Sequence, residues 1–212
     1  MMTRGLLISF EGIDGAGKTT QVKNLVKELR ARGHMVTTLR EPGGTEISER
    51  IRELLLDSHN QINPMAEALL YAAARAQLVQ DVVRPLLAQG TIVLADRFID
   101  STIAYQGYGR GLSIEGLQQL NNLATGGLEP DLTILLDVPA DLGCGRRQGL
   151  LFDRIEKEGL NFQDRVRQGY LEMAAALPRI KVVDGNLPAE HISAIIIDIV
   201  TRFLKGDCGV ED

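Results

Sequence analysis

Residues 12–19 read Gly12-Ile13-Asp14-Gly15-Ala16-Gly17-Lys18-Thr19, the pattern of a loop that cradles phosphate. Glycine at these positions frees the backbone to bend, so that successive amides turn inward onto phosphate oxygens. Lys18 has the reach to sit at β- and γ-phosphates, and the Thr19 hydroxyl is placed to ligate Mg²⁺. The apolar run Leu6–Phe10 precedes the loop, and a helix-like stretch, Thr19–Arg32, follows it. Strand, glycine turn and helix start are the context the motif requires. The helix start adds unpaired amides and partial positive charge at the same spot. A chance glycine turn beside a stray lysine explains none of that context.

Other residues carry chemistry that this loop lacks. Thr91–Arg97 reads Thr-Ile-Val-Leu-Ala-Asp-Arg. An apolar strand ending in Asp96 supplies the second oxygen for Mg²⁺, often through water. Arg97 beside it suits bidentate phosphate recognition; a helix-capping Asp with an exposed Arg is the bland reading. Asp14 is out of place, because a carboxylate in a triphosphate loop adds repulsion of about 1 kcal/mol or more near a surface. Either it accepts a hydroxyl from a second substrate or it points to solvent.

The tight loop Arg40-Glu41-Pro42-Gly43-Gly44-Thr45 sets Arg40 facing an anion, with Arg52 joining from the following helix. Two ordinary surface arginines read equally from these residues. Tyr71 and Arg75 are four apart on a helix and share a face. A ring that stacks beside a guanidinium that bonds a carbonyl suits a planar base; a core tyrosine with a snorkelling arginine fits the spacing too. Ser101, Thr102, Tyr105 and Gln106 follow the Asp96-Arg97 pair, where they can read base edges or merely start a polar helix. Arg146, Arg147 and Arg154 form a basic segment after the fourth strand. Arg147 and Arg154, seven apart, share one helix face. Such a segment can fold over phosphates, where an arginine is worth about 10³ to 10⁵ in rate; the alternative is a solvated charged helix.

The elements that position these residues are legible as alternation. Apolar or β-branched runs at Leu6–Glu11, Met35–Arg40, Thr91–Asp96, Leu132–Asp137 and Ile180–Asp184 read as strands. Amphipathic stretches at Thr19–Arg32, Glu46–Leu56, Pro64–Gln89, Ser113–Thr125, Phe162–Ala176 and Pro188–Lys205 read as helices. Near-continuous apolar strands with helical crossovers indicate an α/β domain: a doubly wound, five-stranded parallel sheet flanked by helices on both faces. Ligands in such folds lie at the carboxyl ends of the strands, where Glu11, Arg40, Asp96 and Asp137 fall.

The 212 residues suit a single domain, 1–212, with a frayed acidic tail from Gly206. A net charge of −5 argues against a nucleic-acid or acidic-membrane surface. Cys144 and Cys208 fit no metal spacing, no run is long enough for a membrane span, and no signal-peptide pattern opens the chain. These features lead us to expect a cytoplasmic protein. A guanine-reading Asn-Lys-x-Asp is missing, since no Asn-Lys pair occurs in the chain; that argues against a GTP-dependent switch.

Phe10-Glu11-Gly12-Ile13-Asp14-Gly15-Ala16-Gly17-Lys18-Thr19-Thr20, Arg40-Glu41-Pro42-Gly43-Gly44-Thr45, Asp96-Arg97-Phe98 and Ala104-Tyr105-Gln106-Gly107 occur in one order. Together they closely resemble the bacterial thymidylate kinases, from about Leu6 to Lys205. The resemblance implies a P-loop NTPase fold with a helical lid at about residues 140–160. It implies transfer of the ATP γ-phosphoryl to thymidine 5′-monophosphate (dTMP), with Mg²⁺, by a homodimer. It makes residues 12–19 the ATP site and Thr19 and Asp96 the metal oxygens. Asp14 takes the position that meets the deoxyribose 3′-hydroxyl; Tyr71 stacks on thymine and Arg75 bonds its O4. Thr102 and Gln106, with Ser101 and Tyr105 nearby, match base-edge contacts; Arg40, Arg52 and Arg97 match ligands of the acceptor phosphate. Lys18, Asp96, Arg97 and the lid arginines Arg146, Arg147 and Arg154 become the catalytic set. Alignment back from Asp153-Arg154-Ile155-Glu156 puts Gln148 where arginine is common, so either Arg147 or Arg146 supplies the lid charge or the lid register shifts by one.

Overall fold

The computed structural model describes residues 4–147 and 153–206. Gln148, the centre of the expected lid and all but the first residue of the acidic tail lie outside the described residues. Five strands form one sheet in the order β2-β3-β1-β4-β5, all parallel. They are β1 (Leu7–Glu11), β2 (Val36–Arg40), β3 (Ile92–Asp96), β4 (Leu132–Asp137) and β5 (Ile180–Asp184), each within one residue of its expected bounds. The three central strands are buried nearly end to end, as the apolar runs required. The edge strands β2 and β5 mix buried and exposed positions.

Helices cover both faces. α1 (Lys18–Ala31) packs on β1, β2 and β3, and α9 (Ala189–Lys205) lies against α1 and β5. On the other face, Leu7, Val93 and Ala95 meet Leu78, Val79, Val83 and Leu87. α2 (Glu46–Leu56), capped by Thr45 on Ser48 N, packs on α3 (Pro64–Leu78), capped by Asn63 with Pro64 in the first turn. The stretch expected as one helix to Gln89 instead passes through a π-helical segment, Val79–Val83, into α4 (Arg84–Ala88). After β3 come α5 (Ile99–Thr102) and a second π-helical segment, Ile103–Gly109. α6 (Ile114–Thr125), α7 (Ala140–Gly145) and α8 (Leu160–Ala176) complete the order, with a 3₁₀ turn at Glu156–Glu158.

Two differences from the expected elements bear on the site. The π-helical segment Ile103–Gly109 widens the helical turn; π-turns are frequent at functional sites. It also lets α8 approach closely: a Cβ on Gly109 would sit 2.7 Å from the Phe162 ring. Neither Arg147 nor Arg154 is helical; each lies in a turn on its own side of residues 148–152. The shared helix face expected for them is therefore absent at both its ends.

Strand register fixes the ligand-facing edge. Asp96 pairs with Phe10 on one side and Arg40 on the other, and Glu11 pairs with Leu135. At the end of β1 the chain turns through Gly12 at φ 132°, where a Cβ would stand 2.5 Å from the Leu136 carbonyl oxygen. Glycine alone meets both conditions. Gly12→Ala is expected to cost at least about 2 kcal/mol, lowering Tm by at least about 4 °C in a domain of this size. Thermal unfolding followed by circular dichroism checks this; an unchanged Tm would contradict it.

Candidate active site

A single cleft of about 1070 Å³ runs along the carboxyl ends of the strands. At one end lies the phosphate loop. Gly15 and Gly17 hold φ of 80° and 95°, and Gly17 is the N-cap of α1 with no side chain closing the helix start. Lys18 Nζ donates to the carbonyls of Gly12 and Ile13, each at 2.9 Å. Burial first, then the Arg97 charge, pushes its ammonium down to about 8, against the pull of Asp14, Asp96 and Glu11. Thr19 Oγ1 donates to Asp96 Oδ2 at 2.9 Å, so the two oxygens expected at Mg²⁺ do sit side by side. No group of three or more His, Cys, Asp or Glu side chains suited to a metal occurs among the described residues. Mg²⁺ at a phosphate site needs only one or two protein oxygens, the rest coming from water and phosphate. The pair therefore fits that ion.

Arg97 is the centre of the cleft. It is the one non-glycine residue with positive φ, 73°, among the described residues, a conformation costing roughly 1–3 kcal/mol. Six interactions hold it. Its amide donates to Phe10 O at 3.0 Å, and its guanidinium to Gly12 O, Ser101 Oγ, Tyr170 OH, Tyr105 OH and Asp14 Oδ1, the last at 2.6 Å. The guanidinium also lies over the Tyr105 ring, 4.8 Å from its centroid. Asp14 thus turns inward, not to solvent. Burial alone would raise its carboxyl, but Arg97 and Lys18 outweigh that and hold it below its ordinary value.

Beneath Arg97 lies Glu11, fully buried. It accepts from Ser9 Oγ, Phe98 N, Ser101 Oγ and Tyr170 OH at 2.6–2.8 Å. Sequence placed Glu11 at the right edge but gave it no role, and Tyr170, a helix residue distant in sequence, carried no signal.

The far end of the cleft is lined by Tyr71, Arg75, Ser101, Thr102, Tyr105 and Gln106, with Arg40 and Arg52 along the side. Arg40 pairs with Glu49 at 3.1 Å, and Arg52 donates to the Pro42 carbonyl at 2.9 Å. Arg75 is buried and fully engaged. Its Nε donates to Glu41 at 2.7 Å, Nη1 to Thr102 and Asn121, and Nη2 to the Phe98 carbonyl while lying 2.7 Å from Glu41. A guanidinium has five N–H groups, and here each faces a protein acceptor. Glu41, quoted in the motif without a role, is thus the partner that keeps Arg75 in place.

Of the lid arginines, Arg146 and Arg147 line the cleft and Arg154 does not. Arg146 reaches the Gly15 carbonyl at 3.4 Å and the Gly185 carbonyl at 2.9 Å. Arg147 pairs with Glu156 at 2.6 Å, and its Nε is buried without a partner among the described residues. Arg154 is buried against Glu67, Nη1 to Oε2 at 2.6 Å, and donates to the Leu55 carbonyl. Its expected place among the phosphates is corrected: a carboxylate on α3 and a helix-end carbonyl hold it away. Asp137, at the same sheet edge, is likewise bound by Arg167 at 2.6 and 2.8 Å and takes no part in the cleft.

Known proteins are similar to this chain over most of its length. The family model described as thymidylate kinase matches residues 10–196. The thymidylate kinase of Caldanaerobacter subterraneus is 47% identical over 204 residues, covering 96% of this chain and 98% of that protein. That of Desulforudis audaxviator is 56% identical over 176 residues, 82% of this chain and 80% of its own. The crystal structure of thymidylate kinase from Ehrlichia chaffeensis superposes with a TM-score of 0.75 at 34% identity, over 93% of this chain and 99% of that one. With the phosphate loop, the Asp96-Arg97 pair and the lined far pocket meeting in one cleft, the chain belongs to the thymidylate kinase family.

Proposed function

We propose that this protein transfers the γ-phosphoryl group of ATP to dTMP, giving ADP and dTDP. One observation carries the reading: a single cleft joins a phosphate loop to an aromatic and amide-lined pocket, with Arg97 between them. ATP occupies the loop and dTMP the far pocket. Tyr71 stacks on the base, Thr102 and Gln106 meet its edge, and Arg75 shares an Nη1 hydrogen with O4. The Asp14 carboxylate accepts the deoxyribose hydroxyl. Arg40, Arg52 and Arg97 hold the acceptor phosphate, and Ser101 and Tyr105 steady Arg97 beneath it.

The reaction asks little of proton transfer. An oxygen of the acceptor phosphate attacks the γ-phosphorus, the bond to the β-γ bridging oxygen breaks, and ADP leaves with that electron pair. The acceptor is already an anion, so the protein supplies placement and charge. Lys18 neutralises β- and γ-oxygens, Arg97 ties the acceptor to the loop, and Arg146 or Arg147 closes from the lid side. Thr19 and Asp96 would hold Mg²⁺, which when bound shields charge shared by the two terminal phosphates. Exclusion of water keeps a competing acceptor out.

We read the assembly as a homodimer in the cytoplasm. α2, α3 and α6 pack side by side and leave Ile47, Leu54, Met65, Leu69 and Leu123 about half exposed or more. Ile47 and Leu54 are seven apart, and Met65 and Leu69 four apart, so each pair lies on one helix face. Apolar side chains grouped on adjoining helices suit a second copy. No described helix is long and apolar enough to cross a membrane.

A coupled assay with ATP and a panel of nucleoside monophosphates tests the activity: dTMP is expected to give the highest kcat/KM, and turnover of a purine monophosphate above dTMP would reject it. The Lys18 environment sets a pH dependence. In the free enzyme its ammonium loses its proton as pH rises through about 8, whereas bound triphosphate stabilises the charged form. The kcat/KM for ATP is therefore expected to fall above that pH while kcat holds to higher pH; parallel profiles would contradict it. Sedimentation at micromolar concentration is expected to show a dimer that Leu69→Glu dissociates, and a wild-type monomer would overturn the assembly.

A further inference from the structure

The carboxylate of Glu67 lies one helical turn before Tyr71 and two before Arg75 on α3, so all three share a face. It is fully buried and outside the reacting groups named above. Its Oε1 accepts from Gln106 Nε2 at 2.9 Å and Arg110 Nε at 3.2 Å. Its Oε2 meets Arg110 Nη2 at 3.1 Å and Arg154 Nη1 at 2.6 Å. Burial alone would raise this carboxyl, but the bonds from Arg110, Gln106 and Arg154 outweigh it and hold the group below its ordinary value. Two guanidinium groups on one buried carboxylate keep it ionised, and an ionised carboxylate can only accept.

That fixes which way the Gln106 amide points. Its nitrogen must face Glu67, because the reverse orientation would set a carbonyl oxygen against a buried anion. The carbonyl is then the end left for the cleft that Gln106 lines. An acceptor there suits a base edge that donates. Thymine and uracil carry N3–H, whereas cytosine presents a bare N3 lone pair. Arg75 cannot make the distinction alone, since its donors are already shared with Glu41, Thr102, Asn121 and Phe98.

We propose that Glu67 is a specificity-determining positioning residue, which locks the Gln106 amide with its carbonyl toward the base and so selects a pyrimidine bearing N3–H over cytosine. The inference rests on the dTMP reading of the far pocket. It adds that discrimination against cytosine is set one residue behind the base, by a group that never touches it. A site whose polar group is left facing a like group rejects that ligand strongly.

The test compares kcat/KM for dTMP and dCMP in wild type, Glu67→Gln, Gln106→Ala and the double variant. A glutamine at 67 can offer its own amide hydrogens, so the Gln106 amide is free to turn over. Glu67→Gln is expected to lower the dTMP-to-dCMP ratio by at least about tenfold, with KM for ATP unchanged. In the Gln106→Ala background the same change should move the ratio less than about twofold, the mark of one residue acting through the other. A folded Glu67→Gln enzyme with the wild-type ratio overturns the proposal, as does an equal drop in both backgrounds. A wild-type ratio near one instead removes the dTMP reading beneath it. Should Glu67→Gln not fold, the wild-type protein still decides. The Gln106 side-chain amide, assigned by its loss in Gln106→Ala, is expected to be shifted downfield and protected from exchange in nitrogen-edited NMR spectra. A rapidly exchanging, unshifted amide there overturns the proposal.

Discussion

Positive charge crowded into a low-dielectric cleft is the constraint on which the rest of this structure depends. The phosphoryl transfer we propose draws on Lys18, Arg97 and Arg146 or Arg147 within one small volume, and like charges so placed repel. The fold answers by giving four of the arginines that line the cleft a carboxylate: Arg97 has Asp14, Arg75 has Glu41, Arg147 has Glu156, and Arg40 has Glu49. The acids lie close, at 2.6–2.7 Å in three of the four pairs. They are there less to stabilise the fold than to hold each guanidinium in one place, since a buried ion pair gains little net stability over a well-packed apolar pair. Arg52, Arg146 and Lys18 instead donate to carbonyls, and burial together with the Arg97 charge depresses the Lys18 ammonium.

Arg97 shows how that placement is made rigid. A left-handed arginine would relax unless its surroundings over-determined it. Here the Phe10 carbonyl fixes its amide, and Ser101 and Tyr170, both bonded to Glu11, flank its head. Glu11 in turn accepts the Phe98 amide, so one buried carboxylate ties β1, the residue after Arg97, α5 and α8 together. Strain at Arg97 and satisfaction at Glu11 are two sides of the same arrangement.

Sequence carried most of this where chemistry depends on local spacing. The phosphate loop, the strand ending in Asp96 and the five parallel strands were all legible because each is written in contiguous residues. Glu11, Glu41 and Glu67 were invisible as partners, although two of the three stood inside quoted motifs. A buried acid finds its arginine across the fold, at separations of 34 residues for Glu41 and Arg75, and no periodicity records that. Arg154 failed for the related reason that a basic run looks alike whether it faces phosphate or a buried acid. The π-helical segment Ile103–Gly109 escaped because its widened turn arises from packing on α8, at Gly109 against Phe162, and not from propensity.

The same pairing gives Glu67 a second consequence. It binds Gln106, which lines the cleft, and Arg154, which lies within the segment where a lid is expected, while Arg110 joins it to Glu158. A residue on α3 therefore shares its two oxygens between an amide of the cleft and two arginines, one of which, Arg154, follows residues 148–152. A carboxylate offers about four acceptor sites, and Gln106, Arg110 and Arg154 together fill them with four bonds. The charge that orients one amide of the cleft thereby also anchors Arg154, so that α3, the π-helical segment and the residues around Arg154 meet in one buried cluster.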